Sequence, residues 1–417
     1  MGPAYRHDYR LRFLIVRLRF PLGGLAAVLV AAAILAGTAT PAPRAGIEPK
    51  LTEALQSPSL SLRRTAALAI DLETGGVVFA HNESVPVPPA SNEKIPVAWA
   101  ALARLGPQYR FHTEVYGIGS RKGLAWDGDL VLKGFGDPTL SSADIGLLAK
   151  RLRVMGIRSV TGRVLGDESF YDHRRDVRGW KASFLGNEAP PLSALVVDRA
   201  RGWPALSPPL LAARALRDAL AGRGVVVAGR PGLGVAPAAA VSLASDVSIP
   251  LAEIVRVMNH ESDNFYAEML LKQIAAAAGK PGSSAMGGKL VVATMAEAGI
   301  PVDGVRVVDG SGLSSLDRLT AAALVGVLRT GLSDPSIRLA FVNSLAIAGR
   351  SGTLSSRLFP LRGRVKGKTG TTNLACTLSG YVGGSYVFAV LQTGDPVASW
   401  AARAAQDRFV TVLARAH

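Results

Sequence analysis

An α+β fold is predicted by the order in which two hydrophobic periodicities run along this 417-residue chain. Short apolar runs at Thr65–Asp71 and Val77–His81 surround a turn, Glu73-Thr74-Gly75-Gly76, and read as a hairpin. Runs at Arg364–Gly370, Thr377–Val382 and Ser385–Leu391 read as a closing antiparallel meander. Between them lies a block of helical period, Pro250–Asn259, Asp263–Ala278 and Ser284–Ala298. Strands segregated from helices in this way predict one sheet, built from both ends of the chain, with the middle helices packed beside it.

The remaining elements follow in order. Pro88-Pro89-Ala90 leads into a helix that opens at Ser91 and runs to about Leu105. Pro96 lies inside it and removes one early hydrogen bond, which predicts a local kink or a late start. Phe111–Ser242 is mixed. Its strand candidates are Phe111–Ile118, Leu130–Lys133, Ser159–Leu165 and Val225–Val227, and its helix candidates are Ala143–Met155 and Leu210–Gly222. Gly134-Phe135-Gly136-Asp137-Pro138 is a turn between them. Asp309-Gly310-Ser311-Gly312 is a loop, and helix resumes from Thr320. Gly383-Gly384 predicts a two-residue hairpin turn, and Ala398–Ala414 a last helix closing over the sheet. The predicted organisation is a core of 48–110 and 243–417 with an inserted mixed lobe at 111–242.

Composition narrows the function. The chain is 48% hydrophobic, enough for a large core. The single cysteine, Cys376, excludes an intramolecular disulfide, and no Cys/His cluster has metal-ligand spacing, so neither a metal nor a cofactor is expected. Arg6, Arg10, Arg12, Arg17 and Arg19 precede an apolar run, Leu22–Ala36, followed by Gly37, Thr38 and Ala39. That run is short for a membrane span, which needs roughly 20 residues, so residues 1–39 read as a cleaved export signal and 40–47 as a flexible lead-in. The expected location is the periplasm or the outer face of the cytoplasmic membrane. The formal charge is +16; the signal holds five arginines and Asp8, so its removal leaves +12. Aromatics are only 6% and no nucleic-acid motif is present, so the basic balance points to an acidic wall or membrane surface and not to nucleic acid. Oligomeric state is not legible.

Three short motifs carry chemistry. Ser91-Asn92-Glu93-Lys94 places a hydroxyl and an amine on one helical face, where Lys94, if neutral part of the time, can take the proton of Ser91. Alone, this also reads as a helix N-cap. Ser262-Asp263-Asn264 offers a proton relay in Ser262 and, in Asn264, an amide to orient Lys94 and hold a carbonyl; it too reads as a capping cluster. Lys368-Thr369-Gly370 puts a cation and a hydroxyl on a strand, suited to a substrate carboxylate, and a glycine that lets substrate backbone approach the edge. Backbone N–H groups of Ser91 and Thr371 would make an oxyanion hole. A depressed Lys94 pKa is expected from burial and from Lys368. Each motif alone has a bland alternative. All three together, in this order and on these elements, define an acyl-transfer serine enzyme.

With these motifs the chain resembles the D-alanyl-D-alanine carboxypeptidase/endopeptidases of peptidase family S13, the class C low-molecular-mass penicillin-binding proteins, from about Leu51 to the C-terminus. Pro89-Ala90-Ser91-Asn92-Glu93-Lys94, Gly136-Asp137-Pro138-Thr139-Leu140, Met258-Asn259-His260-Glu261-Ser262-Asp263-Asn264, Asp309-Gly310-Ser311-Gly312-Leu313-Ser314 and Leu378-Ser379-Gly380-Tyr381 all look like that family's segments. The resemblance implies a penicillin-binding/serine β-lactamase-like transpeptidase fold: an antiparallel sheet with flanking helices, a helical subdomain and an inserted lobe. It implies cleavage of peptidoglycan stem peptides through an acyl-enzyme on Ser91, inhibited by β-lactams, with Lys94, Ser262, Asn264 and Lys368 in the family's catalytic positions. Some members also use an insertion-lobe acid, an arginine and an amide to contact the free end of diaminopimelate. Asp137 and Asn373 match the acid and the amide, whereas Ser315 stands in the arginine's place, with Arg318 nearby. Asp137 also reads as a turn cap. Two rivals remain at this stage: a β-lactamase-like hydrolase, for which no positioned deacylation base is visible in the insertion, and a non-catalytic penicillin-sensing or wall-binding protein.

Overall fold

The computed structural model describes residues 46–416, which belong to one compact unit. The expected export signal, and nearly all of the lead-in, lie outside the described residues.

A six-stranded antiparallel sheet is built from both ends of the described chain. Thr65–Asp71 pairs on one side with Val77–His81 and on the other with Tyr386–Thr393. Tyr386–Thr393 continues to Ala375–Val382, Val365–Thr371 and the two-residue strand Ala346–Ile347. The central strands are buried along nearly their whole length, because both faces are covered. One face packs Leu51, Phe409 and Leu413 against Phe79, Phe388 and Val390. The other packs Leu68, Val387 and Ala389 against Trp99, Leu270 and Leu324 of the helical block. The predicted antiparallel sheet and flanking helices are therefore present, and the α+β class holds.

Helices Leu251–His260, Asn264–Ala277, Ser284–Glu297 and Ala321–Ser333 surround the central helix Lys94–Leu105. The central helix starts late, as Pro96 predicts: Ala90–Glu93 is a 3₁₀ turn and Pro96 is the third helical residue. The first four N–H groups of a helix have no internal partner, so proline there loses nothing.

A second, mixed sheet of seven strands lies between residues 112 and 247. The long hairpin His112–Lys122 and Ala125–Gly134 is its spine. Short parallel strands join Ala125–Gly134 on one side, and Val241–Val247 joins His112–Lys122 antiparallel on the other. Helices Ser142–Val154 and Pro208–Ala221 close over it through Leu148, Leu152, Leu216 and Leu220.

Two elements have no counterpart in the sequence reading, the strand Val241–Val247 and the helix Glu48–Leu55. The closing hairpin turn has three residues, 383–385, not two. Gly383 and Gly384 both take positive φ, which pays no Cβ penalty at glycine, and Ser385 completes the loop by donating to Val382 O.

Candidate active site

Ser91 lies on the 3₁₀ turn, where the central helix meets the edge of strand Val365–Thr371. Asn92 fastens the turn to the sheet. Its amide nitrogen donates to Lys368 O at 3.2 Å and Thr377 Oγ1 at 2.6 Å, and its oxygen accepts from Ser379 Oγ at 2.5 Å. Gly370 permits the close approach, since a Cβ there would stand 2.8 Å from Ser91 N and 2.4 Å from Thr377 Oγ1. Gly312 does the same for the loop beneath, where a Cβ would meet Ala90 O at 1.9 Å. Ala90 and Ser262, next to and within the site, take positive φ, a conformation that L side chains rarely adopt.

The Lys94 amine is fully buried and donates three hydrogen bonds: to Ser91 Oγ at 3.1 Å, Asn264 Oδ1 at 2.8 Å and Ser311 O at 2.6 Å. Burial, not a neighbouring lysine, lowers its pKa to about 8, and Asp309, Glu268, Asp263 and Glu93 oppose that fall. Lys368, also fully buried, donates to Ser262 Oγ at 2.8 Å and Thr369 O at 2.8 Å. Burial, and then the charge of Lys94, push its pKa well below the usual lysine range. The coupling between the two lysines is thus felt at Lys368.

The ambiguity of Ser262-Asp263-Asn264 resolves by division. Asp263 is the helix N-cap, accepting from Tyr266 N at 2.9 Å, and Arg199 pairs with its other oxygen. Ser262 and Asn264 are left to face the two lysines. The amide nitrogen of Asn264 donates to Glu188 O at 3.0 Å.

Four buried carboxyls lie under this network. Asp309 gathers the N–H groups of Ser311, Gly312 and Ser314 and the indole N–H of Trp180. Glu268 Oε1 accepts from Gly310 N at 3.0 Å and Ser311 N at 2.9 Å, so it fixes the loop whose carbonyl holds Lys94. Burial and the negative charge of Asp309 raise Glu268 to about 8. Glu93 and Asp317 are also pushed well up, in each case by burial first and then by neighbouring carboxylates.

At the rim, Thr369 Oγ1 donates to Thr353 Oγ1 at 2.8 Å, and Thr371 Oγ1 accepts from Arg403 Nη2 at 3.3 Å. The three side-pocket residues show no hydrogen bond to the lysine network among the described residues. Asp137 is buried and caps its own turn, accepting from Thr139 N at 2.8 Å and Thr139 Oγ1 at 2.6 Å; burial raises it to about 6. Asn373 is exposed, and its carbonyl accepts from Val397 N at 2.8 Å. Ser315 is exposed, and Arg318 turns back onto Ser315 O and Asp317 O.

Asn92, Glu268, Ser311 and Arg403 were not singled out from sequence. Asn92 and Ser311 stand inside segments recognised as family-like, which is the only signal that marked them.

The fold and the clustered Ser-x-x-Lys, Ser-Asp-Asn and Lys-Thr-Gly motifs define a penicillin-binding serine protein. The chain belongs to the D-Ala-D-Ala carboxypeptidase 3 (S13) family, whose profile matches residues 47–209 and 205–416. It is 32% identical to carboxypeptidase DacB of Mycolicibacterium smegmatis over 402 residues, covering 89% of this chain and 84% of the relative. The crystal structure of penicillin binding protein 4 (dacB) from Haemophilus influenzae shares its fold, with a TM-score of 0.77 at 22% identity over 88% of this chain and 98% of that one. A penicillin G-acylated predatory endopeptidase from Bdellovibrio bacteriovorus superposes with a TM-score of 0.51 at 19% identity, over 84% of this chain and 91% of the other.

Proposed function

We propose that the protein is a serine D-alanyl-D-alanine carboxypeptidase, with endopeptidase capacity, that trims or un-cross-links peptidoglycan stem peptides through an acyl-enzyme on Ser91. The observation that carries this is the contact of Lys94 Nζ with Ser91 Oγ at 3.1 Å, inside a network that also holds Asn264, Ser262 and Lys368.

The geometry supports the following chemistry. With its pKa lowered to about 8, Lys94 is neutral in an appreciable fraction of molecules near neutral pH and takes the Ser91 hydroxyl proton. Ser91 Oγ attacks the carbonyl of the penultimate D-alanine, polarised by the N–H groups of Ser91 and Thr371. The peptide C–N bond breaks. Ser262, bonded to Lys368, passes a proton to the departing amine, which is terminal D-alanine or the end of a cross-linked peptide. Water then hydrolyses the ester. A β-lactam acylates the same hydroxyl. Intact side chains at all five positions favour this reading over a non-catalytic sensor.

The N-terminal stretch is proposed to direct export and to be cleaved near Thr40. No helix among the described residues is long and apolar enough to cross a membrane. The basic surface is proposed to suit an acidic wall or membrane face. The inserted lobe is best taken to end at about residue 247, which keeps Val241–Val247 with its partner strand.

Incubation with monomeric and cross-linked wall peptides, followed by mass analysis, tests the activity. Loss of terminal D-alanine or opening of the cross-link is expected, and Ser91→Ala should abolish both along with covalent penicillin uptake. Cleavage by Ser91→Ala would remove Ser91 as nucleophile.

A further inference from the structure

Side chains alternate across a strand, so the hydroxyls of Thr369 and Thr371 share one face of Val365–Thr371, and Lys368 with Gly370 the other. Lys368 is fully buried and its amine is committed to Ser262 Oγ and Thr369 O. Its charged form is also disfavoured by burial and by Lys94. It is therefore a poor source of charge for a carboxylate that arrives from solvent at the threonine face.

A better cation stands at that face. Arg403 lies on the C-terminal helix Ser399–Arg415, is exposed, and donates from Nη2 to Thr371 Oγ1 at 3.3 Å. No carboxylate lies within salt-bridge distance of it among the described residues. Asp407, one helical turn on, is taken by Arg357 at 2.7 Å. A guanidinium stays charged at every working pH, and its fork of donors matches a carboxylate. Besides Arg403, Thr371 Oγ1 contacts Cys376 Sγ at 4.0 Å, a weak acceptor that a carboxylate outcompetes for the hydroxyl proton.

We propose that Arg403 is a specificity-determining residue that binds the substrate's C-terminal carboxylate together with the Thr369 and Thr371 hydroxyls, and that it, not Lys368, supplies the charge for that recognition. This rests on the acyl-enzyme reading of Ser91. It assigns substrate selection to the C-terminal helix, which none of the three motifs touches.

The test uses the full-length protein and an N-acylated peptide ending in D-Ala-D-Ala, as free acid and as C-terminal amide. For Arg403→Ala, kcat/KM for the acid should fall roughly 10–100-fold, chiefly through KM, since a charged hydrogen bond is lost. The amide should stay within about twofold, which also serves as the folding control. Arg403→Lys should recover part of the acid preference. Added salt should erode that preference in the wild type and not in Arg403→Ala. Equal losses on acid and amide, or no loss on either, would overturn the role of Arg403 while leaving the enzyme's function standing. A wild type that cleaves neither peptide and takes up no penicillin would overturn the functional reading and this assignment with it.

Discussion

The floor of the cleft and its rim are built by opposite rules. On the floor, Lys94, Lys368, Glu268 and Asp309 are fully buried, and each makes at least two hydrogen bonds, at least one of them to a group on another element. At the rim, Ser315, Thr371, Asn373 and Arg403 are exposed and make few. Burial makes each floor group costly to leave unpaired, so the positions constrain one another. The rim carries no such penalty, and its residues are free to vary with the substrate. On the function proposed above, the difference separates how the protein makes an acyl-enzyme from how it selects what is acylated.

The floor is where a single change should do most. Lys94→Ala should lower the rate of Ser91 acylation by on the order of a thousandfold or more, because a nucleophile and its base act as a unit. In the wild type the rate should rise with pH through about 8, where Lys94 loses its proton, and then level off. Stopped-flow β-lactam acylation across pH checks both. A variant that retains near-wild-type acylation would place the base elsewhere.

Lys368→Gln sharpens the division between floor and rim. From sequence, Lys368 is the carboxylate-binding cation, which predicts a larger loss on acid substrates than on neutral ones. Its burial and its bond to Ser262 place it on the floor, so we expect acid and amide peptides to lose activity alike, by roughly 10–100-fold, because Ser262 loses a buried hydrogen-bond partner. A loss confined to the acid would return the carboxylate to Lys368.

Glu268→Gln acts on the floor through stability. Burial raises Glu268 from 4.5 to about 8. A raised folded pKa means that the folded protein holds the proton more tightly than the unfolded chain. The stabilisation is full below about pH 4.5 and is lost as pH rises toward 8. Glutamine keeps the acceptor that binds Gly310 N and Ser311 N but cannot ionise. Urea unfolding at pH 5 and pH 8 should therefore show a smaller decline for the variant. Parallel declines would mean that Glu268 is already ionised in the folded protein.

The smallest effect belongs to the rim. Ser315 is exposed, and Arg318 folds back on its own loop, so neither supplies a cation in this arrangement. Wild type should prefer free over amidated diaminopimelyl ends only a few-fold, and Ser315→Arg should widen that ratio by a further few-fold. A strong wild-type preference would mean that another cation already fills the role.

Much of the fold was legible because its determinants are local. The hairpin Thr65–Asp71 and Val77–His81 is marked by two short apolar runs around a Gly-Gly turn, and the helices Asn264–Ala277 and Ser284–Glu297 carry caps that sequence displays. Val241–Val247 was missed because it is a half-exposed edge strand with little apolar signal, held by its partner and not by its own pattern. Glu48–Leu55 was missed for a related reason: its stability comes from packing on the C-terminal helix, far away in the chain. In the site, motif residues were legible and their supports were not. Ser311 O meets Lys94 across 217 positions, and Asn92 meets Ser379 across 287. Arg403 lies in no motif and acquires meaning only beside Thr371.

The bond from Asn264 to Glu188 has one more consequence. A carboxamide has two faces of similar shape and opposite polarity, and which one meets Lys94 is not fixed by helix Asn264–Ala277 alone. Because Glu188 O can only accept, it claims the amide nitrogen and compels the oxygen to turn toward the lysine. Reversed, the amide would set N–H against N–H on one side and carbonyl against carbonyl on the other. Glu188 belongs to the long excursion between the first and second motifs, so that excursion acts as a latch on the electrical sense of a side chain it does not contain. A shortened descendant of this chain, cut back to the three motifs and their sheet, would keep every reacting group and lose the instruction for which way one of them must face.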